Sequence, residues 1–179
     1  MSVASSPKLK LLVLMRFKMK KLVSAVVVGL GLSLIPTVQA QAPVQGTMEA
    51  YVVEIKNDKE VLKAAHDVEP NQLVEYHLTY VNKSNAGING LTVIGPVPEG
   101  TAYVSDTAMA DSAASLKVSI DDGLTFENEP VTREVVKENG EVMETVIPPE
   151  RYTHIQWQAS SELSGKGGKQ FYRYRVRVK

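Results

Sequence analysis

The chain has 179 residues, no cysteine, and 20 basic against 20 acidic residues. Without cysteine there are no disulfides, no thiol chemistry and no lipidated N-terminal cysteine, so an exported form must hold through its core alone. Six of the basic residues (Lys8, Lys10, Arg16, Lys18, Lys20, Lys21) and none of the acidic ones fall within residues 1–40; the remainder is acidic, which disfavours a nucleic-acid partner, whose binding requires a basic footprint.

In chain order, Met19-Lys20-Lys21 is a basic start, Leu22 to Ile35 an apolar run, and Val38-Gln39-Ala40 a small-residue cleavage pattern. Together they read as a signal peptide, residues 1–40, cleaved after Ala40. Met19 is the more economical start, with residues 1–18 either an overcalled beginning or a long n-region. The apolar run is shorter than the about 20 residues of a comfortable membrane span, so no stable transmembrane anchor is predicted after processing. The predicted location is periplasmic or secreted, and residues 41–179 fit one domain.

Residues 41–46 read as a flexible lead. Thr47 to Lys56 alternates around Tyr51, Val53 and Ile55 and predicts a first strand. Val61 to Ala65 is too brief for periodicity to decide between a helical turn and a strand; the sheet-rich context favours a strand. Glu69-Pro70-Asn71 is a turn. From Val74 to Tyr80 the alternation predicts a buried face of Val74, Tyr76, Leu78 and Tyr80 and a wet face of Glu75, His77 and Thr79. Leu91 and Val93 restart the pattern, Pro96, Pro98 and Gly100 force a turn, and Ala102 to Val104 begin again. Residues 105–115 are a loop or weak edge. Leu116, Val118 and Ile120 mark a strand that Asp121-Asp122-Gly123 closes, with Leu124 to Phe126 as its return. Asn139-Gly140 tolerates the positive φ of a tight turn, so residues 131–147 predict a protruding hairpin with polar, solvent-facing arms. Thr153, Ile155 and Trp157 form another strand. A glycine-rich loop leads to the last, where Tyr172, Tyr174, Val176 and Val178 alternate with Phe171, Arg173, Arg175 and Arg177. About eight or nine short strands with turn signals between them predict an all-β domain over 47–179: two packed antiparallel sheets, an immunoglobulin-like β-sandwich.

Little in this pattern carries chemistry. His66, His77 and His154 lack the close spacing of a metal motif. There is no Gly-x-Ser-x-Gly elbow, and no catalytic residue, metal or cofactor is predicted. The acidic middle of the chain (Asp106, Asp111, Asp121, Asp122, Glu127, Glu129) leaves calcium ligation by loop oxygens open, against the plainer reading of solvated turns. Ser119 to Phe126 resembles the Asp-box of sialidase-like propellers. It occurs once where a propeller needs several, so Asp121, Gly123 and Phe126 are read as a self-locked hairpin. Arg173, Arg175 and Arg177 stack three charges on one strand face and either meet an anionic partner or pair with acidic neighbours in the sheet.

The stretch Val74 to Ser84, followed by Leu91 to Val104, resembles the conserved repeat domain of unknown function found in bacterial and archaeal surface and exported proteins. Tyr76, Asn82, Pro98, Gly100 and Tyr103 match its pattern, whereas Gly95 stands where that family usually has Asp. The resemblance implies an immunoglobulin-like sandwich and no catalytic residues. The resulting expectation is an exported, non-catalytic interaction or assembly accessory module with a protein or glycan partner in the envelope. The alternatives are a structural spacer and an envelope-polymer hydrolase.

Overall fold

The computed structural model describes residues 42–179; the predicted signal peptide lies outside the described residues. The strands are β1 (Val44–Lys56), β2 (Lys59–Ala64), β3 (Leu73–Asn82), β4 (Thr92–Pro96), β5 (Thr101–Tyr103), β6 (Met109–Ala110), β7 (Ala114–Ser119), β8 (Thr132–Val136), β9 (Val142–Val146), β10 (His154–Ala159) and β11 (Lys169–Val178). They form a large sheet in the order β2-β1-β3-β11-β5, with β6 also against β11, a three-stranded sheet β4-β10-β7, and a separate two-stranded ribbon β8-β9. Every pairing is antiparallel. Among the described residues no helix is long and apolar enough to cross a membrane.

Period-two alternation drives this arrangement. On β3 and β11 it delivers Val74, Tyr76, Leu78, Tyr172, Tyr174, Val176 and Val178 to one core, where they meet Val93, Val118, Ile155 and Trp157 from the smaller sheet. The two sheets therefore face each other across a shared interior, as in a β-sandwich. Trp157 is the pivot, with its ring 5.5 Å from that of Tyr172 and 5.9 Å from that of Tyr174. Burying an indole removes on the order of 200 Å² from water, an upper bound of about 5 kcal/mol. The Tyr174 hydroxyl donates to the Pro96 carbonyl and so ties β11 to β4. A Cβ on Gly95 would lie 2.6 Å from Tyr174 Cε1, so glycine at this position is what lets the tyrosine rest on the strand.

Asn82 and the Pro98–Gly100 turn hold two ends of this frame. Asn82 is fully buried and uses its whole amide: Nδ2 donates to the carbonyls of Ala86 (2.8 Å) and Leu163 (3.0 Å), while Oδ1 accepts from the N–H (2.9 Å) and Oγ (2.7 Å) of Ser84. One side chain thus fixes the loop after β3 and joins it to the loop before β11. Beyond β4, Gly100 adopts φ +77, and both the N–H and the hydroxyl of Thr101 donate to the Pro98 carbonyl.

Three segments of the fold differ from the sequence reading. The predicted flexible lead is already strand from Val44, which pairs with Asn82; Gly46 leaves room for the Tyr80 ring, 2.9 Å from where a Cβ would sit. Leu124 to Phe126 do not form a returning strand, because the Thr125 N–H is taken by Asp121 Oδ1 (2.9 Å), leaving a single bridge between Val118 and Glu127. The hairpin is a free-standing ribbon, but its arms are not simply polar, since Val135, Val136, Val142, Met143 and Val146 are exposed on it.

Candidate functional site: the outer face of the large sheet

Register lays the outward side chains of the large sheet in rows. Tyr51, Glu75 and Arg175 form one row across β1, β3 and β11; Glu49, His77, Arg173 and Met109 form the next, from β1 to β6; Thr79 and Phe171 follow. Alternation assigns Glu75 to water, yet it is 1% exposed. The correction has a plain cause: the long side chains of its neighbours fold over it. His77 Nε2 lies 2.6 Å from Glu75 Oε1, Arg175 Nε donates to Oε2 at 2.6 Å, and Arg173 Nη1 is 3.8 Å from Oε1. The remaining guanidinium nitrogens of Arg175 form a fork onto Glu60 of β2 at 2.9 and 2.7 Å. Arg175 therefore clasps the outermost strand to the middle of the sheet.

Burial alone would push the Glu75 carboxyl up, but the His77 and Arg175 hydrogen bonds and the two guanidinium charges outweigh it and hold the group below the usual carboxylate range. Hydrogen bonding to Glu60 and to Glu75 drives Arg175 above its ordinary value. Glu60 is lowered, chiefly by the bond from Arg175. Glu75, Glu60 and Arg175 thus form a charged, internally compensated network.

Beside it lies an open recess of about 450 Å³. His77, Thr79, Phe171 and Arg173 line it from β3 and β11, Met109 and Ala110 from β6 with Asp111 just after it, and Glu49 from β1. Asp111 holds the β6 segment in place, its N–H donating to the Phe171 carbonyl and its Oδ1 accepting the Phe171 N–H, each at 3.0 Å. Phe171 and Met109 are 48% and 50% exposed. Glu49 accepts the Tyr51 hydroxyl at 2.9 Å, and the Tyr51 ring lies 4.9 Å from His77. An apolar platform bordered by fixed polar groups is suited to holding a ligand's flat or apolar face while its edges are hydrogen-bonded.

The other residues singled out by sequence fall elsewhere. The arginine ladder divides: Arg175 is committed to Glu60 and Glu75, Arg173 borders the recess, and Arg177 donates to the Asn71 carbonyl (3.0 Å) at a second recess of about 490 Å³. In the Asp-box turn, Ser119 Oγ donates to Asp121 Oδ1 (2.7 Å) and accepts the Gly123 N–H (2.9 Å), while the Thr125 hydroxyl donates to Asp121 Oδ2 (2.6 Å). These bonds, led by those from Thr125, bring Asp121 down to about 2. Gly123 has φ +82, and Phe126 is half-buried. Of the acidic loop residues, Glu127 is engaged by Arg133. His66 is exposed and His154 packs against Gly123. Among the described residues no three of His, Cys, Asp and Glu gather in a metal-holding group.

Sequence reasoning did not find Glu60, Glu49 and Met109 as parts of this face. The only available signal was an acidic residue on the outward side of one strand and arginines on the outward side of another. Which row each joins is fixed by the β1-β2, β1-β3, β3-β11 and β6-β11 registers. Fold and site define an all-β protein of antiparallel sheets with a sandwich-like core and a recessed outer face. No protein-family model, curated protein or solved structure matches the chain.

Proposed function

We propose that the chain is an exported, non-catalytic interaction module of the periplasm or cell envelope, immunoglobulin-like in its sheet arrangement, that holds a protein or glycan partner on the outer face of its large sheet. The observation that carries this reading is the recess bearing half-exposed Phe171 and Met109 next to an already neutralised charge network. Aromatic side chains in such a setting supply large contact area at low entropic cost and dominate binding energy. The carboxylates beside them accept hydrogen bonds from within the chain, Glu49 from Tyr51 and Asp111 from Phe171, which suits recognition better than acid–base chemistry. The signal-peptide pattern of residues 1–40 and the resemblance of Val74 to Val104 to an exported repeat domain support the location.

The test is affinity enrichment from an envelope fraction with three forms of the protein: wild type, Phe171→Ser, and Leu124→Ser, which alters an exposed leucine in the Asp121 turn. A protein or glycan enriched by wild type and Leu124→Ser, and reduced roughly tenfold or more by Phe171→Ser, supports the proposal. Failure to enrich any partner, or equal enrichment by all three forms, contradicts it.

A further inference from the structure

Among the described residues six strands end a sheet, β2, β4, β5, β7, β8 and β9, and two of them, β2 and β8, carry opposite charges along their open edges. β2 ends the large sheet with all six of its residues exposed, and β8 pairs only with β9. The backbone direction of each is fixed. Lys56 and Lys59 close a two-residue hairpin, and the Ala65 N–H donates to the Ala50 carbonyl. The odd-numbered residues of β2 therefore face β1, while Glu60 and Leu62 turn their N–H and C=O groups outward. In the ribbon, the Lys137 N–H bonds to Glu141 and the Ile147 N–H to Val131, so Glu134 and Val136 turn theirs outward.

The side chains on these edges are complementary. Lys59, Val61 and Lys63 share one face of β2, and Lys63 is 71% exposed even though Glu54 lies 3.8 Å away. Glu134 and Val136 share one face of β8, and Glu138 follows in the turn. Glu134 is also directly opposite Glu144 on β9, both exposed. Like charges so placed destabilise a free hairpin, and a cation from another molecule relieves them.

We infer that copies of this chain associate head to tail by strand addition, the β8 edge of one copy joining the β2 edge of the next in parallel, with Lys59 facing Glu134, Val61 facing Val136 and Lys63 facing Glu138. Backbone direction selects this mode. In a parallel pair a residue that bonds across the interface stands opposite one that faces away; here Glu60 meets Val135 and Leu62 meets Lys137, as required. Antiparallel addition with the same facing residues would put bonding groups opposite non-bonding ones. Because the two surfaces differ, the contact is heterologous and propagates into open chains or closes into rings. It does not rest on the recess near Phe171.

Sedimentation velocity on the purified, export-processed protein, over a wide concentration range at low and high salt, tests this. Two charge-reversed forms, Lys59→Glu with Lys63→Glu and Glu134→Lys with Glu138→Lys, are examined alone and mixed, each first checked for native Trp157 fluorescence. The expected result is mass that grows with concentration beyond a dimer and shrinks with salt, association weakened roughly tenfold or more in either form alone, and recovery on mixing, when the reversed β2 edge of one form meets the reversed β8 edge of the other and the two unreversed edges meet each other. A monomer at every concentration, a closed dimer, wild-type association by either reversed form, or no recovery on mixing would overturn it.

Discussion

Replacing Arg175 with methionine keeps an apolar stem on the sheet but removes the guanidinium that serves both Glu60 and Glu75. The Glu60 contact is half-exposed and screened by solvent, so it is a minor part of the loss. Glu75 decides the outcome: its side chain is 2% exposed, and removing one partner of a buried charge pair costs about 3–5 kcal/mol. His77 remains at 2.6 Å, and Arg173 can close in from 3.8 Å. The expected loss at pH 7 is accordingly about 2–4 kcal/mol. Adding Glu75→Gln to Arg175→Met removes the stranded charge and restores at least about 1 kcal/mol of it. The pH dependence has a definite sign. Glu75 is held below its ordinary value in the folded state, so its network stabilises the protein above the unfolded carboxyl value of about 4.3 and loses that effect as pH falls through the folded value. The gap between wild type and Arg175→Met should therefore narrow in acid. Urea unfolding followed by the fluorescence of Trp157, the single tryptophan, at neutral and acidic pH measures both quantities. A variant as stable as wild type at pH 7, or a gap that widens in acid, would refute the reasoning.

Three further outcomes follow from the same structure. Asn82→Ala breaks four hydrogen bonds in a fully buried setting and should cost about 1–3 kcal/mol by urea unfolding, chiefly from the Ser84 N–H left without its acceptor, since the Ala86 and Leu163 carbonyls keep donors in Ser84 Oγ and the Ile88 N–H. Gly95→Ala puts a methyl 2.6 Å from Tyr174 Cε1 and 3.3 Å from Trp157 Cζ3; because the Tyr174 hydroxyl is tied to Pro96, the ring cannot swing clear, and a loss of about 1–3 kcal/mol with an altered Trp157 emission is expected. Asp121 is held at about 2 by the bonds from Thr125 and Ser119. Its contribution to the turn is thus present above the unfolded value of about 3.9 and disappears as pH falls through about 2. An NMR titration should place the carboxyl midpoint near the lower value, with the Thr125 amide exchanging faster in Asp121→Asn; a midpoint near 4 would contradict the turn's bonding.

Local rules made much of the frame legible. The alternation on β3 and β11 names nearly every core residue they contribute, and Gly100, Asn139-Gly140 and the Asp121 turn mark real reversals. Asn82 stood out as a residue, but its work joining two loops 81 positions apart depends on tertiary approach. The same limit hid the site. Glu75 reads as wet because a period of two says which side a residue faces, not what lies over that side; its cover comes from Arg175, 100 positions on, and His77. Likewise Met109 lies in a stretch with too little periodicity to specify an edge, and it becomes a wall only because β6 pairs with Arg173 on β11. Leu124 to Phe126 failed for the opposite reason: a local side-chain bond from Asp121 won over strand pairing.

The proposed interaction surface is tested most directly by hydrogen-exchange footprinting of the protein with and without the partner enriched from the envelope fraction. The account predicts slowed amide exchange confined to the residues lining the recess, Glu49, His77, Thr79, Met109 to Asp111 and Phe171 to Arg173. Protection elsewhere on the molecule, with that face unchanged, would contradict it.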